Sequence, residues 1–577
     1  MTRLWNDPAD FADEMVAGFV AANRRHVRRV PGGVVRSTVS PQGQVAVVIG
    51  GGSGHYPAFG GLVGQGLAHG AALGNLFASP SSQQVFSVAK AAENGGGVFF
   101  SYGNYAGDVL NFDAAADRLR AEGIACETVT VTDDISSAAP DKRNLRRGIA
   151  GDLTVFRIAA AAAETGANLA EVTRIARLAN DRTRSFGVAF TGCTLPGAGQ
   201  PLFTVPSGRM AVGLGIHGEP GIDETPIPTA DGLAELLVAQ LLAERPDGAG
   251  TRVVPILNGL GSLKYEEMFV VYRRIAQLLT QAGLEILDPH VGEYCTSFDM
   301  AGTSLTLFWV DDELERLWST PVDTPAYRRG AVTPAARASA DTEVQADPAT
   351  AQIVPGDPES VALAQRVVGA LETIVRTVDE HVDELGRIDQ IAGDGDHGIG
   401  MQRGAHAALA AGRDAAARGA GAATVLTRAA DGWSDRAGGT SGALWGVILT
   451  RLAQVLGDAG TPDASTIAAG IAAGSHAVQD YGKAEVGDKT LVDALVPFSS
   501  ELTAQTAAGA RLAPAWRAAA GAATTAATAT AALLPRKGRA RTHGEHAIGT
   551  PDPGAVSLAL IVTAIGDSFA TTTIPQP

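Results

Sequence analysis

At 577 residues the chain has room for about four folding units of roughly 150 residues, and large α/β lobes lower that expectation to two or three. Its 45 basic and 61 acidic side chains leave a net charge of −16 with no Lys/Arg-rich tract, which argues against nucleic acid as a partner. Cys126, Cys193 and Cys295 are widely spaced and form no CxxC pair, so neither a disulfide scaffold nor a zinc site is expected.

The first 30 residues carry Asp7, Asp10, Asp13 and Glu14 without a continuous apolar stretch, unlike a secretory signal, and a cytoplasmic location is expected. Further on, β-branched or aromatic runs end in glycine-rich loops. Val45 to Ile49 enters Gly50-Gly51-Gly52, Val98 to Phe100 leads to Tyr102-Gly103-Asn104, and Val253 to Leu257 leads to Asn258-Gly259. Between them lie Ala/Leu-rich helical stretches, the pattern of an α/β sheet buried on both faces. Ligands of such sheets bind at the loops beyond the strand ends.

A strand-like run from Leu305 to Val310 closes this half, which is expected to span residues 1–320. Residues 321–358 then hold six prolines among Ala, Thr and Asp, the composition of a linker. From 359 to 577 the texture is helical. Val361, Ala364, Val367, Val368, Leu371, Ile374, Val375, Val378, Val382 and Leu385 recur at three- and four-residue spacing, which predicts one amphipathic helix in a nearly all-α domain. The run Ala518 to Leu534 is mostly alanine with four threonines, too short and weakly apolar to span a bilayer, so it predicts a tightly packed helix and no membrane partner.

The strongest local signal is Asp389-Gln390-Ile391-Ala392-Gly393-Asp394-Gly395-Asp396-His397-Gly398. Three carboxylates on one Gly-rich turn repel one another unless a hard cation neutralises them, which predicts a magnesium site. An EF-hand is excluded, because with Asp394 first the twelfth position is Ala405, not the bidentate glutamate calcium requires. Magnesium on few carboxylates keeps positions for substrate phosphates, so a nucleotide is expected. Gly438-Gly439-Thr440-Ser441-Gly442 offers free N–H groups and two hydroxyls at a predicted helix start, although such turns also serve as plain caps. A P-loop is absent, since Gly487-Asp488-Lys489-Thr490 lacks the glycine lead.

Gly50-Gly51-Gly52-Ser53-Gly54-His55 follows a strand, but a dinucleotide fold needs an acidic residue about 20 positions on. None occurs between Glu14 and Glu93. The turn can instead present Ser53 and His55 to a small polar substrate. Asp108 and His217 occupy similar turns. Each alone is equally a helix cap or a buried structural group; their shared place beyond apolar strands points to a site.

With these residues in view, the chain resembles the dihydroxyacetone kinase family in its single-chain, ATP-using form. Ten blocks in family order carry the resemblance: GGGSGHYPAF (Gly50 to Phe59), FASPS (Phe77 to Ser81), NYAGDVLNFD (Asn104 to Asp113), GLGIHGEPG (Gly213 to Gly221), NGLG (Asn258 to Gly261), TSFDMAG (Thr296 to Gly302), GDGDHG (Gly393 to Gly398), GGTSGALWG (Gly438 to Gly446), GDKTLVDAL (Gly487 to Leu495) and DPGA (Asp552 to Ala555). The resemblance implies an N-terminal ketose-binding domain of two α/β lobes and a C-terminal antiparallel barrel of about eight helices that binds Mg-ATP.

It further implies that His217 attacks the ketone carbon and holds the sugar as a covalent hemiaminal, that Asp108 takes the proton of the attacking hydroxyl, and that His55 assists proton transfer. Gly52, Ser53, Gly54 and Ser79 are implied as sugar contacts. Asp389, Asp394 and Asp396 are implied to hold two magnesium ions. His397, Gly439, Thr440, Ser441, Gly487, Thr490, Asp552 and Gly554 are implied to line the nucleotide. A domain-exchanged homodimer is implied as the assembly.

The sequence departs from the family pattern at Tyr56, where glutamate is usual, at Phe59, where a smaller or polar residue is common, and along Gly538 to Gly549. The first two departures predict a reshaped sugar pocket and a longer acceptor, such as the four-carbon erythrulose. Alternatives are a ketose-sensing transcriptional co-regulator without turnover and a phosphoenolpyruvate-linked phosphotransferase subunit. A manganese-dependent FAD-cyclising side reaction, as in some animal relatives, stays open on residues alone.

Overall fold

The computed structural model describes residues 2–219, 221–338, 353–392, 395, 397–537 and 547–571. The chain divides into two units, Met1–Gln345 and Ala346–Pro577.

The first unit holds two sheets. One is built from β1 (Val27–Val30), β2 (Gly33–Arg36), β3 (Ala46–Gly52), β4 (Gly70–Gly74), β5 (Val98–Gly103) and β6 (Cys126–Val131) in the order β1-β2-β4-β3-β5-β6. Its β4-β3-β5-β6 portion is parallel. Alternate residues of the apolar runs feed two cores: Val47, Ile49 and Phe99 enter one, while Ala46, Val48, Val98 and Phe100 enter the other. That two-residue alternation on a doubly covered sheet explains why the runs read as continuously hydrophobic.

The second sheet comprises β7 (Thr183–Ala189), β8 (Arg209–Val212), β9 (Asp223–Pro226), β10 (Arg252–Gly259), β11 (Glu285–Ile286), β12 (His290–Gly292) and β13 (Gly302–Trp309). Here β10, β13, β7, β8 and β9 pair antiparallel in that order, and only the short β11 and β12 run parallel to β10. The helix Asp152–Glu164 shares one core with Val47 and Ile49 of the first sheet and with Val254, Ile256 and Phe308 of the second. Packed from both sides, it is buried from Asp152 to Ala163, and its buried Arg157 donates to the Gly66 and Trp318 carbonyls.

The segment expected to begin a linker continues the first unit. Val322–Asp323 pairs antiparallel with Arg328–Arg329, and Tyr327 between them is buried in the same core as Trp318.

The described part of the second unit contains eight α-helices: Pro358–Ala392, His397–Ala417, Ala422–Ala437, Gly439–Leu456, Ala464–Gly482, Val492–Ala507, Leu512–Ala529 and Pro553–Thr571. Each packs on the next, and the last packs on the first, so the ring closes. Short connections make successive helices antiparallel among the first seven, while residues 530–552 separate the last two. The first contains the whole predicted apolar stripe, with Ala364, Leu371, Ile374, Val378 and Leu385 buried. The Ala-rich stretch falls largely in Leu512–Ala529, where Ala519, Ala520, Ala523 and Ala527 are buried. Among the described residues no helix is long and apolar enough to cross a membrane.

Candidate active site

In the first unit, β3 ends at Gly52 and the turn Ser53–His55 follows. A Cβ at Gly52 would lie 2.4 Å from the Leu76 carbonyl oxygen, and one at Gly54 2.7 Å from the same atom. Only glycine lets the two loops approach so closely. The Gly54 N–H donates to that oxygen at 2.7 Å, which fixes His55 at the end of the sheet.

The second sheet supplies the partners of His55. The loop from β12 to β13 brings the Thr296 carbonyl oxygen 2.7 Å from His55 Nδ1. The loop between β8 and β9 brings His217 Nε2 2.9 Å from His55 Nε2. A carbonyl only accepts, so His55 carries a proton on Nδ1. Burial, and next the charge of His217, push His55 down to about 3, against the opposing pull of Thr296 and Glu219.

Around this pair stand Tyr105, edge-on to His217 with ring centres 4.5 Å apart, and Phe77, 5.1 Å from His55 and 5.6 Å from His217. Phe59 lies 6.5 Å from His55 and fills the space a Cβ at Gly51 would take. Of the two departures in this loop, Phe59 is thus buried beside the site, whereas Tyr56 is 45% exposed.

Asp108 sits in the first turn of the helix Ala106–Ala121, whose N-cap is Tyr105, so its carboxylate is not spent as a cap. Burial raises it to about 6, opposed by a hydrogen bond from Ser79 and by nearby His217. Ser79 also accepts from Asn111 Nδ2 at 3.2 Å. Asp108 Oδ1 and Ser53 Oγ are buried without a hydrogen-bond partner among the described residues. Unpaired buried oxygens of this kind call for a polar ligand. The structure therefore gathers His55, His217, Asp108, Ser53, Ser79, Gly52 and Gly54 in one place.

Sequence reasoning assigned no role to four residues here: Thr296, Tyr105, Glu219 and Arg147. Glu219 Oε1 lies 3.1 Å from His217 Nδ1, and Oε2 accepts the His217 backbone N–H at 3.0 Å. Burial alone would raise this carboxyl, but His217 and Arg147 hold it well below the usual carboxylate range. Glu219 stood two places from His217 in one sequence block, so the signal was present; Arg147 gave none.

In the second unit, alternate helices of the antiparallel ring begin at the same end, namely His397–Ala417, Gly439–Leu456, Val492–Ala507 and Pro553–Thr571. Side chains tie these starts together. His397 Nε2 is 3.0 Å from Ser557 Oγ, its Nδ1 is 3.3 Å from Ser441 Oγ, and its backbone N–H donates to Asp389 Oδ2 at 3.2 Å. Asp493 accepts from the N–H groups of Gly487 at 2.6 Å and Thr490 at 2.7 Å. Four convergent helix N-termini make a site for a multiply charged anion.

Gly438 and Gly439 take φ of +64° and +59°, which places Thr440, exposed, and Ser441 at the helix entrance. Asp552, two residues before Gly554, caps the last helix, its Oδ1 accepting the Ala555 N–H at 2.7 Å. Burial, then the like charges of Asp493 and Asp389, raise Asp552 to about 7, with Lys489 opposing. Carboxylates that repel one another beside helix N-termini fit a hard divalent cation carrying phosphates. Of the three expected ligands, Asp389 is described, while Asp394 and Asp396, like most of Gly538 to Gly549, lie outside the described residues. Among the described residues no cluster of three or more His, Cys, Asp or Glu side chains forms a metal site by itself.

Residues 17–326 match the Dak1 domain and residues 391–567 the DAK2 domain. The chain is 58% identical over 570 residues to an L-erythrulose kinase of Pectobacterium atrosepticum, covering 98% of this chain and 96% of that one. It is 51% identical over 578 residues to a D-erythrulose kinase of Mycolicibacterium smegmatis, covering 99% of each. The crystal structure of the C. freundii dihydroxyacetone kinase in complex with AMP-PNP and Mg2+ superposes with a TM-score of 0.53 at 29% identity, over 98% of this chain and 99% of that chain. Likeness of this extent spans the turns around His55 and His217 and the helical ring alike, and the chain belongs to the dihydroxyacetone kinase family.

Proposed function

We propose that this ATP-dependent ketose kinase phosphorylates erythrulose in preference to dihydroxyacetone, at a terminal hydroxyl, after His217 has captured the sugar as a hemiaminal. The observation that carries the reading is the His55–His217 contact of 2.9 Å in one cluster with the unpartnered oxygens of Asp108 and Ser53. Identity of 58% to an L-erythrulose kinase and 51% to a D-erythrulose kinase supports the tetrulose.

In this reading His217 Nε2 bonds to the ketone carbon while the carbonyl electron pair moves onto oxygen, which takes, by way of His55 Nε2, the proton shared between the two rings. The captured sugar then has one terminal hydroxyl oriented toward Asp108. Asp108 accepts that hydroxyl's proton as its oxygen bonds to the γ-phosphorus and the bond from phosphorus to the leaving ADP oxygen breaks. Such a base contributes on the order of 100- to 10,000-fold, and alignment of acceptor and donor supplies much of the remainder. On the nucleotide side, Asp389, Asp394 and Asp396 are the residues to hold two magnesium ions, with Gly439, Thr440, Ser441 and His397 along the phosphates and Gly487, Thr490, Asp552 and Gly554 beyond them. Magnesium bound there neutralises the triphosphate and the charge developing on transfer. The same reading includes a cytoplasmic, domain-exchanged homodimer.

The test is a coupled ADP-release assay over three- to five-carbon ketoses, including both erythrulose enantiomers, with His217→Ala and Asp394→Ala as controls. An erythrulose enantiomer is expected to give the highest kcat/KM, and His217→Ala to lose roughly 1,000-fold or more. A clear preference for dihydroxyacetone overturns the tetrulose assignment, and undiminished turnover in His217→Ala overturns the covalent step.

A further inference from the structure

Glu219 and Arg147 occupy a place in the loop that the backbone is shaped to leave for them. A Cβ on Gly215 would fall 2.1 Å from Glu219 Oε2 and 2.5 Å from Arg147 Nη1, so the loop passes over this pair with no room for a side chain. Arg147 is itself fixed: its Nη2 lies 2.8 Å from Asp134 Oδ2, its Nε donates to the same oxygen at 3.0 Å, and Nη2 donates to the Gly213 carbonyl at 3.2 Å. From that anchor Nη1 stands 3.8 Å from Glu219 Oε2.

Both carboxylate oxygens of Glu219 are spoken for by donors of one residue, the backbone N–H of His217 at 3.0 Å and its ring Nδ1 at 3.1 Å. A carboxylate accepts at both oxygens and donates at neither, so the proton of His217 is fixed on Nδ1. Thr296 fixes the corresponding proton on His55 Nδ1. The two Nε2 atoms, 2.9 Å apart, then have one proton to share between them.

We infer that Glu219, braced by Arg147, is the positioning residue that makes His217 Nε2 the attacking atom and balances the charge of the N-alkylated ring. With His55 uncharged in the free site, the shared proton rests on His217 Nε2, and as Nε2 bonds to the ketone carbon that proton passes by way of His55 Nε2 to the ketone oxygen, which becomes the hemiaminal hydroxyl. His217 keeps its Nδ1 proton, and the positive charge, now that of the alkylated ring, stays opposite the Glu219 carboxylate. Every proton is accounted for without solvent, and the arrangement corresponds to the histidine–carboxylate pair of a hydrolase triad put to a different use.

The inference rests on covalent capture by His217, and its test separates the two. The full chain is titrated with [2-13C]dihydroxyacetone and the conversion of the ketone carbon to a tetrahedral hemiaminal carbon is followed by 13C NMR, together with kcat/KM for the ketose and Kd for Mg-AMP-PNP. Glu219→Gln offers one acceptor oxygen where His217 presents two donors, so its amide NH2 faces Nδ1 and drives the proton onto Nε2. The expected result is loss of the hemiaminal signal at sugar levels that saturate the parent enzyme, and a fall in kcat/KM on the order of 100-fold, with nucleotide affinity unchanged. Glu219→Asp keeps both acceptor oxygens and is expected to recover signal and rate to within about tenfold of the parent.

A hemiaminal signal and kcat/KM in Glu219→Gln equal to the parent's overturn the inference, as does Glu219→Asp faring no better than glutamine. If the parent enzyme itself shows no tetrahedral carbon, the covalent reading falls first and the inference with it.

Discussion

Asp108, as the proposed base, is the residue whose environment would set the acid limit of the reaction. Folding buries it, so the ionised form is disfavoured and the group is raised to about 6, which is the direction desolvation dictates for a carboxyl. A base must be ionised to accept a proton. Below that value its active fraction falls about tenfold per pH unit, and above it the rate levels off. The profile of kcat/KM for the ketose is therefore expected to drop with unit slope below about 6 and to level off above pH 7, until the proton shared by His55 and His217 is lost. His55, pushed down to about 3, stays uncharged in the free site across that range and adds no limb of its own. In Asp108→Asn the acid limb should vanish along with roughly 100- to 10,000-fold of the rate; a limb that persists in the variant assigns it to another group.

What could be read at this scale depended on the motif. His55, Asp108 and His217 stood in recognisable turns, whereas Arg147 lies 70 positions from His217 in sequence and meets Glu219 only because the fold brings their two loops together. Spacing along a chain carries no information about such a meeting.

At the scale of elements, the apolar runs predicted strands at the right places. Val45 to Ile49 became Ala46–Gly52, Val253 to Leu257 lies inside Arg252–Gly259, and Leu305 to Val310 overlaps Gly302–Trp309. Direction was not legible, because a strand buried on both faces shows the same continuous run whether its neighbour is parallel or antiparallel. The short strand β9 escaped notice for a different reason: it reads Asp-Glu-Thr-Pro and is mostly exposed, so it has no apolar face to betray it.

Glycines mark where these elements must touch. At Gly52 an added methyl meets a backbone oxygen at 2.4 Å, whereas at Gly250 it meets nothing within 4 Å. A carbonyl held in a loop cannot swing aside as a flexible side chain can. Gly52→Ala should therefore destabilise the first unit by about 1–3 kcal/mol and shift His55, with kcat/KM for the ketose falling about tenfold or more. Gly250→Ala should change neither. Urea unfolding and steady-state kinetics on the two variants check both statements, and equal behaviour of the pair would remove the crowding argument.

Across the whole molecule, the change from β-branched runs to helical periodicity was plain in the sequence. The proposed sugar-side groups, His217 and Asp108, belong to one unit, and the proposed nucleotide-side groups, Asp389 and His397, belong to the other. Periodicity reports which face of an element is buried but not which chain supplies a distant partner, so the exchanged homodimer has to be tested by function. Two chains expected to be inactive serve for this: His217→Ala lacks the proposed sugar nucleophile and Asp394→Ala lacks a proposed metal ligand. Co-expressed with different affinity tags, they pair at random, and half of the dimers are mixed. If each ATP-binding unit serves the sugar site of its partner, every mixed dimer has one site with both halves intact. The pool should then show about a quarter of parental activity, and doubly tagged dimers about half. If each unit serves its own chain, every site in the mixed dimer keeps a defect and activity stays at the level of the separate variants. That null result, obtained with mixed dimers isolated on both tags, would overturn the exchange.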